Sequence, residues 1–135
     1  MKEAQPFIGL FIMTTETLLL INNGADVNAA RGPEARGQTY LHKAAAEGDN
    51  KLAALLIEKG ADINATSDEG HTPLHMAAYE GHQEVVAFLI NNGADLKAKD
   101  KDGKSPLDVA ISERHQDVAA LIRIHLADMS AEDNE

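Results

Sequence analysis

The chain has 135 residues, 44% apolar and 25% charged, enough to build the core of one soluble domain with little left for a second. Twelve Lys and Arg against 22 Asp and Glu give a net charge of −10, so a duplex or an anionic membrane is repelled and neither nucleic acid nor membrane is expected as a partner. Cysteine is absent, which excludes disulfide frameworks, thiolate zinc sites and cysteine nucleophiles.

The first element along the chain is an apolar run from Phe7 to Met13, broken by Gly9. It falls far short of the roughly 18–20 apolar residues of a membrane span. No clean small-residue cleavage site follows it, so it makes a poor secretory signal, and a cytoplasmic location is the expectation.

From Gly24 onward the chain repeats itself. Gly24-Ala25-Asp26-Val27-Asn28-Ala29 returns as Gly60-Ala61-Asp62-Ile63-Asn64-Ala65 and again as Gly93-Ala94-Asp95-Leu96-Lys97-Ala98. A second block, Thr39-Tyr40-Leu41-His42-Lys43-Ala44-Ala45, becomes Thr72-Pro73-Leu74-His75-Met76-Ala77-Ala78 and then Ser105-Pro106-Leu107-Asp108-Val109-Ala110-Ile111. Thr39, Thr72 and Ser105 are 33 residues apart, and only the first connection is longer, by three residues between Ala30 and Arg36. A period of this length signals a stacked array.

One unit reads as follows. Thr72 is an N-cap whose hydroxyl accepts from the open first turn, and Pro73 sits at the first helical position, where its missing N–H costs nothing. Leu74, Ala77 and Ala78 give a narrow, small-residue stripe that lets a neighbouring helix approach closely, and Gly81 ends the helix. A second helix is predicted from about Gln83 to Asn91, with Val85, Val86, Phe88, Leu89 and Ile90 on its buried side. Asn92-Gly93 stops it in a left-handed cap, and Ala94 to Gly103 reads as an extended finger with a tight turn. Such a unit cannot bury its apolar faces alone, whereas a stack can.

The run G-x-T-P-L-H-x-A-A-x-x-G-H-x-x-V-V-x-x-L-I-x-x-G-A-D, unbroken from Gly70 to Asp95, resembles an ankyrin repeat, and the resemblance covers about residues 14–124. It implies an all-α solenoid of stacked helix-turn-helix units with β-hairpin-like fingers. About four repeats are expected, at 1–30, 31–66, 67–99 and 100–126, followed by an acidic, disordered tail at 127–135. The second repeat departs from the pattern at Tyr40 and Asp49. The fourth departs at Asp108 and Arg114 and resembles a C-terminal cap.

Glu16 to Ala25 aligns as an outer helix, but Gln5 to Met13 does not match an inner one. It is expected either as a degenerate first helix folded onto Leu18–Ile21 or as an apolar end, with Phe7, Ile8, Phe11 and Ile12, covered by a second chain or by an upstream segment.

Candidate chemistry is sparse. The resemblance implies that His42 and His75 bridge backbone groups of adjacent fingers and repeats, and that His82 and His115 pack at the helix–helix turn. His71 and His75 have the i,i+4 spacing of a zinc helix, yet Pro73 places His71 outside that helix, so no metal is expected. His125 has no identifiable partner. No nucleophile elbow, phosphate loop or zinc-protease motif is present, and Asp26, Asp62 and Asp95 recur once per repeat as turn residues. No catalysis and no cofactor are expected. Asn64-Ala65-Thr66 fits a glycosylation sequon that needs secretion. Asn28 and Asn64 occupy the finger position that asparaginyl hydroxylases modify in some ankyrin repeats, and they are expected as hydrogen-bonding turn residues.

What remains is surface. The resemblance implies a concave groove of finger tips and inner helices that holds protein partners. Here it comprises Arg36, Gln38, Ala46 and Glu47, then Asp68, Glu69, His71, Tyr79 and Glu80, then Lys101, Asp102, Lys104, Ser112 and Glu113. Tyr79, aromatic with a polar tip, is the expected anchor. The acidic members favour a basic or mixed-charge partner, while Lys101 and Lys104 select an acid at one end. Two alternatives to groove binding are an oligomerising unit joined through the N-terminal apolar end, possible as a homodimer, and a regulatory or inhibitory subunit of an enzyme.

Overall fold

The structure, a computed structural model, describes residues 27–29 and 35–133. The expectations for Phe7, Ile8, Phe11, Ile12 and the first outer helix lie outside the described residues. Among the described residues six helices follow one another in antiparallel pairs: α1 (Tyr40–Glu47) with α2 (Asn50–Glu58), α3 (Pro73–Glu80) with α4 (Gln83–Asn91), and α5 (Pro106–Ser112) with α6 (Gln116–Asp133).

Each pair starts on the same device. The side-chain oxygens of Thr39, Thr72 and Ser105 accept from the amides of His42, His75 and Asp108, and those three side chains accept in return from the cap amides. The predicted helix over Gln83–Asn91 is the observed α4.

Inner helices α1, α3 and α5 pack in sequence, and outer helices α2, α4 and α6 form a second layer behind them. Small residues on the inner layer permit the close approach, since Ala44, Ala45, Ala77 and Ala78 are all fully buried. Leu41, Leu56, Leu74, Leu89 and Ile122 fill the space between layers with no exposure, each contributing roughly 1.5–3 kcal/mol.

The fingers are short and hairpin-like. Ser67 N–H donates to His71 O at 2.9 Å and Asp100 N–H to Lys104 O at 2.9 Å, and no strand forms among the described residues. Each finger is therefore a tight turn closed by one pairing bond. Fingers also bond to each other, Asp68 N–H to Arg36 O at 2.9 Å and Lys101 N–H to Glu69 O at 3.0 Å.

The tail requires a correction. A break into disorder was expected after residue 126, but α6 runs on to Asp133. Leu126 stands where Gly60 and Gly93 end the earlier outer helices, so nothing there supplies the left-handed stop. Ala127, Met129 and Ala131 then carry the helix forward as good helix formers.

Candidate partner-binding face

The repeats are fixed to one another by polar side chains that reach between them. Thr39 and Thr72 N–H groups donate to Nδ1 of His42 and His75, at 3.0 and 3.1 Å. That assigns the proton of each ring to Nε2, which donates forward to the next finger: His42 to His71 O at 2.7 Å and His75 to Lys104 O at 2.8 Å. Both imidazoles are buried and satisfied at both nitrogens. Burial above all lowers the pKa of His75, offset in part by the Lys104 carbonyl and Asp100, and aided by the neighbouring His71.

A second pair reaches backward. Nε2 of His82 donates to Ala46 O at 2.9 Å, and Nε2 of His115 donates to Tyr79 O at 3.0 Å. Each ring lies against the glycine that ends the preceding inner helix. A Cβ on Gly48 would come within 2.7 Å of His82 Nδ1, and one on Gly81 within 2.6 Å of His115 Nδ1. Those glycines also hold φ of +72° and +77°, so only glycine meets both demands.

Finger asparagines complete the set. Asn28 donates to Gly60 O at 3.1 Å and its side-chain oxygen accepts from Asp62 N–H, while Asn64 does the same to Gly93 O at 3.4 Å and Asp95 N–H at 2.8 Å.

The exposed rim of this stack is built from equivalent positions of the inner helices. Ala46, Tyr79 and Ser112 occupy one position, and Glu47, Glu80 and Glu113 the next. Tyr79 is 52% exposed although Ala77 and Ala78 just before it are 0%. Glu47, Glu80, Ser112 and Glu113 are also exposed, with Glu47 paired to Lys43 on its own helix. On the fingers Arg36, Asp68, Glu69, Lys101, Asp102 and Lys104 are exposed, while Gln38 and His71 are half-buried.

Residues 12–100 and 41–133 match the family model for ankyrin repeats, in three copies. The chain belongs to the ankyrin-repeat family. Similar stretches occur in the potassium channel AKT1 of Oryza sativa subsp. indica and of subsp. japonica, each 43% identical over 51 residues. That alignment covers 38% of this chain, and the chain spans only 5% of the length of either channel.

Ankyrin repeats generally serve as non-catalytic modules for protein–protein interaction. In this ankyrin stack His71 is more constrained than its sequence position indicates. Its Nε2 lies 3.2 Å from Asp100 Oδ2, and the Asp100 side chain is only 3% exposed. Burial alone would raise the Asp100 pKa, but amide bonds from Lys104 and Asp102, with the His71 and His75 rings nearby, hold it below the ordinary carboxylate value. Sequence reasoning missed Asp100. The sequence signal was its register, since Asp100 stands 33 residues after Ser67, a turn-forming residue at the same place in the preceding finger.

His71 and His75 rings are 5.7 Å apart, yet both nitrogens of His75 are already bonded, so the pair does not fit a zinc site. Among the described residues no group of three or more His, Asp or Glu is placed to hold a metal ion, and no helix is long and apolar enough to cross a membrane. His125 does find a partner, the carbonyl of Leu121 at 3.0 Å.

Proposed function

We propose that this ankyrin stack binds another protein, without catalysis, through the concave face formed by its inner helices and finger tips. The observation that carries the reading is Tyr79. Tyr79 is 52% exposed in the middle repeat, directly after the fully buried Ala77 and Ala78, and its main chain is anchored by His115. A rigidly mounted aromatic with a polar tip loses little entropy on binding and makes a favoured anchor.

Glu47, Glu80 and Glu113 line the same rim at the C-terminal ends of three inner helices, none of which has a basic residue in its last turn. Carboxylates there sit at the unfavourable, negative end of each helix dipole. Their negative potential supports a partner with basic groups, and Lys101 and Lys104 add a position for an acid.

The test is a pull-down from the native source with the intact chain beside a Tyr79→Ala, Glu80→Lys double variant, bound proteins being read by mass spectrometry. A partner held by the first and lost by the second supports the groove. Equal capture by both rejects it.

A further inference from the structure

The finger tips carry charge in an order that limits what the groove can hold. One tip bears Asp68 and Glu69; the next bears Lys101, Asp102 and Lys104, with Lys99 at its base, and is net positive. All six side chains are exposed. The two fingers are joined through their backbones at Lys101 N–H to Glu69 O, 3.0 Å. Even so, the opposite charges on adjoining tips do not pair. Among the described residues the one Lys–carboxylate pair is Lys43–Glu47, and Asp100 instead contacts the His71 ring.

We propose that these two fingers together read a mixed-charge segment of the partner protein, a basic residue over Asp68–Glu69 and an acidic residue over Lys101–Lys104. The inference rests on the groove-binding reading and specifies its partner. Charge complementarity selects this occupant. A uniformly basic segment that satisfies Asp68 and Glu69 meets Lys101 and Lys104 on one side and Arg36 on the other. A uniformly acidic one is repelled from the tip between them. Like charges facing one another across an interface suppress wrong partners, whereas alternating ones fix register.

The spacing follows from the stack. Inner helices packed at roughly 8–10 Å place equivalent finger residues about that far apart, a distance an extended chain covers in about three residues. The His71–Asp100 contact at 3.2 Å ties the acidic finger to the basic one from beneath, which keeps that distance constant before any partner arrives.

The probe is a display library of random nine-residue peptides selected on the intact chain and on two variants. Lys101→Glu with Lys104→Glu makes both tips acidic; Asp68→Lys with Glu69→Lys makes both basic. Selection on the unaltered chain is expected to enrich basic–x–x–acidic peptides, in either direction, on the order of ten-fold. The acidic variant should enrich basic–x–x–basic, the basic variant acidic–x–x–acidic, and all three preferences should fade at high salt. No charge spacing on the unaltered chain, or the same spacing on all three, overturns the proposal. Enrichment of uniformly acidic peptides overturns it too, and marks the lysine finger as a plain anion patch. The groove reading is judged separately: if Tyr79→Ala loses the native partner while the library shows no spacing, the groove stands and the finger code falls.

Discussion

His75 Nε2 donates to the carbonyl oxygen of Lys104 across 2.8 Å, so the buried imidazole of one repeat holds the finger of the next. At the equivalent place in the fourth repeat the chain has Asp108, whose carboxylate completes its own cap with Ser105 but has no proton to pass forward. His75→Ala leaves Thr72 N–H unpaired, strips Lys104 O of one of its two donors and opens a cavity. Urea unfolding should show a loss of about 2–4 kcal/mol. His75→Asp, which retains the cap but buries a carboxylate opposite a carbonyl, should be no better. A loss below about 1 kcal/mol for both would mean the bridge is not what holds the finger.

Acid should weaken the fold before any carboxylate titrates. Burial above all sets the pKa of folded His75 below its ordinary value of 6.5, so on acidification the unfolded chain takes up this proton first. The stability tied to His75 is complete above that value and drains away as pH falls toward the lowered folded one. Asp100 and Asp108, both held below their ordinary 3.8, add stability present above that value and lost as pH drops through their folded values. Urea midpoints at pH 8, 6.5, 5.5 and 3.5 should therefore fall in two stages, and His75→Gln should flatten the first. A midpoint that rises between pH 8 and 5.5 contradicts this assignment.

Glycine is required at position 81 and not at 114. Gly81→Ala puts a methyl against the His115 ring at a φ of +77°, and should cost about 1–3 kcal/mol, read as a lower melting temperature. Arg114 adopts a φ of +65° at the equivalent position. Arg114→Gly should be neutral or stabilising by up to about 1 kcal/mol, because it relieves the left-handed residue.

Asn64 stitches the second and third repeats from outside. Asn64→Ala removes its bonds with Gly93 O and Asp95 N–H and should cost about 0.5–1.5 kcal/mol, with faster amide exchange at Asp95. Asn64→Asp keeps the acceptor for Asp95 and should protect that amide better than alanine does. Lys97→Ala, at the equivalent exposed position one repeat on, should change neither.

The stack was legible because its punctuation is local. Thr72, Pro73, Gly81 and the Asn92-Gly93 pair fix helix ends through cap chemistry that a few residues carry by themselves. Their 33-residue recurrence then fixes the architecture. Reading by composition misled at the tail, where small acidic residues look unstructured but Leu126 removes the stop that glycine supplies elsewhere. The role of His71 was only half visible. Its place on a finger marks it as surface, whereas its link to Asp100, 29 residues on, depends on two successive fingers being laid side by side. Rim residues such as Tyr79 and Glu80 were readable as exposed because the stack makes no demand on them, and for the same reason the sequence does not name what they meet.

The bond from His115 to the carbonyl of Tyr79 has a consequence for how the molecule is divided. The aromatic ring on which the proposed binding rests belongs to one repeat, but its alignment is inherited from the next. The last repeat can thus act as a jig for a contact it never makes. Wear in the jig, through unfolding of α6 or loss of His115, would blur recognition while every residue at the contact stayed in place.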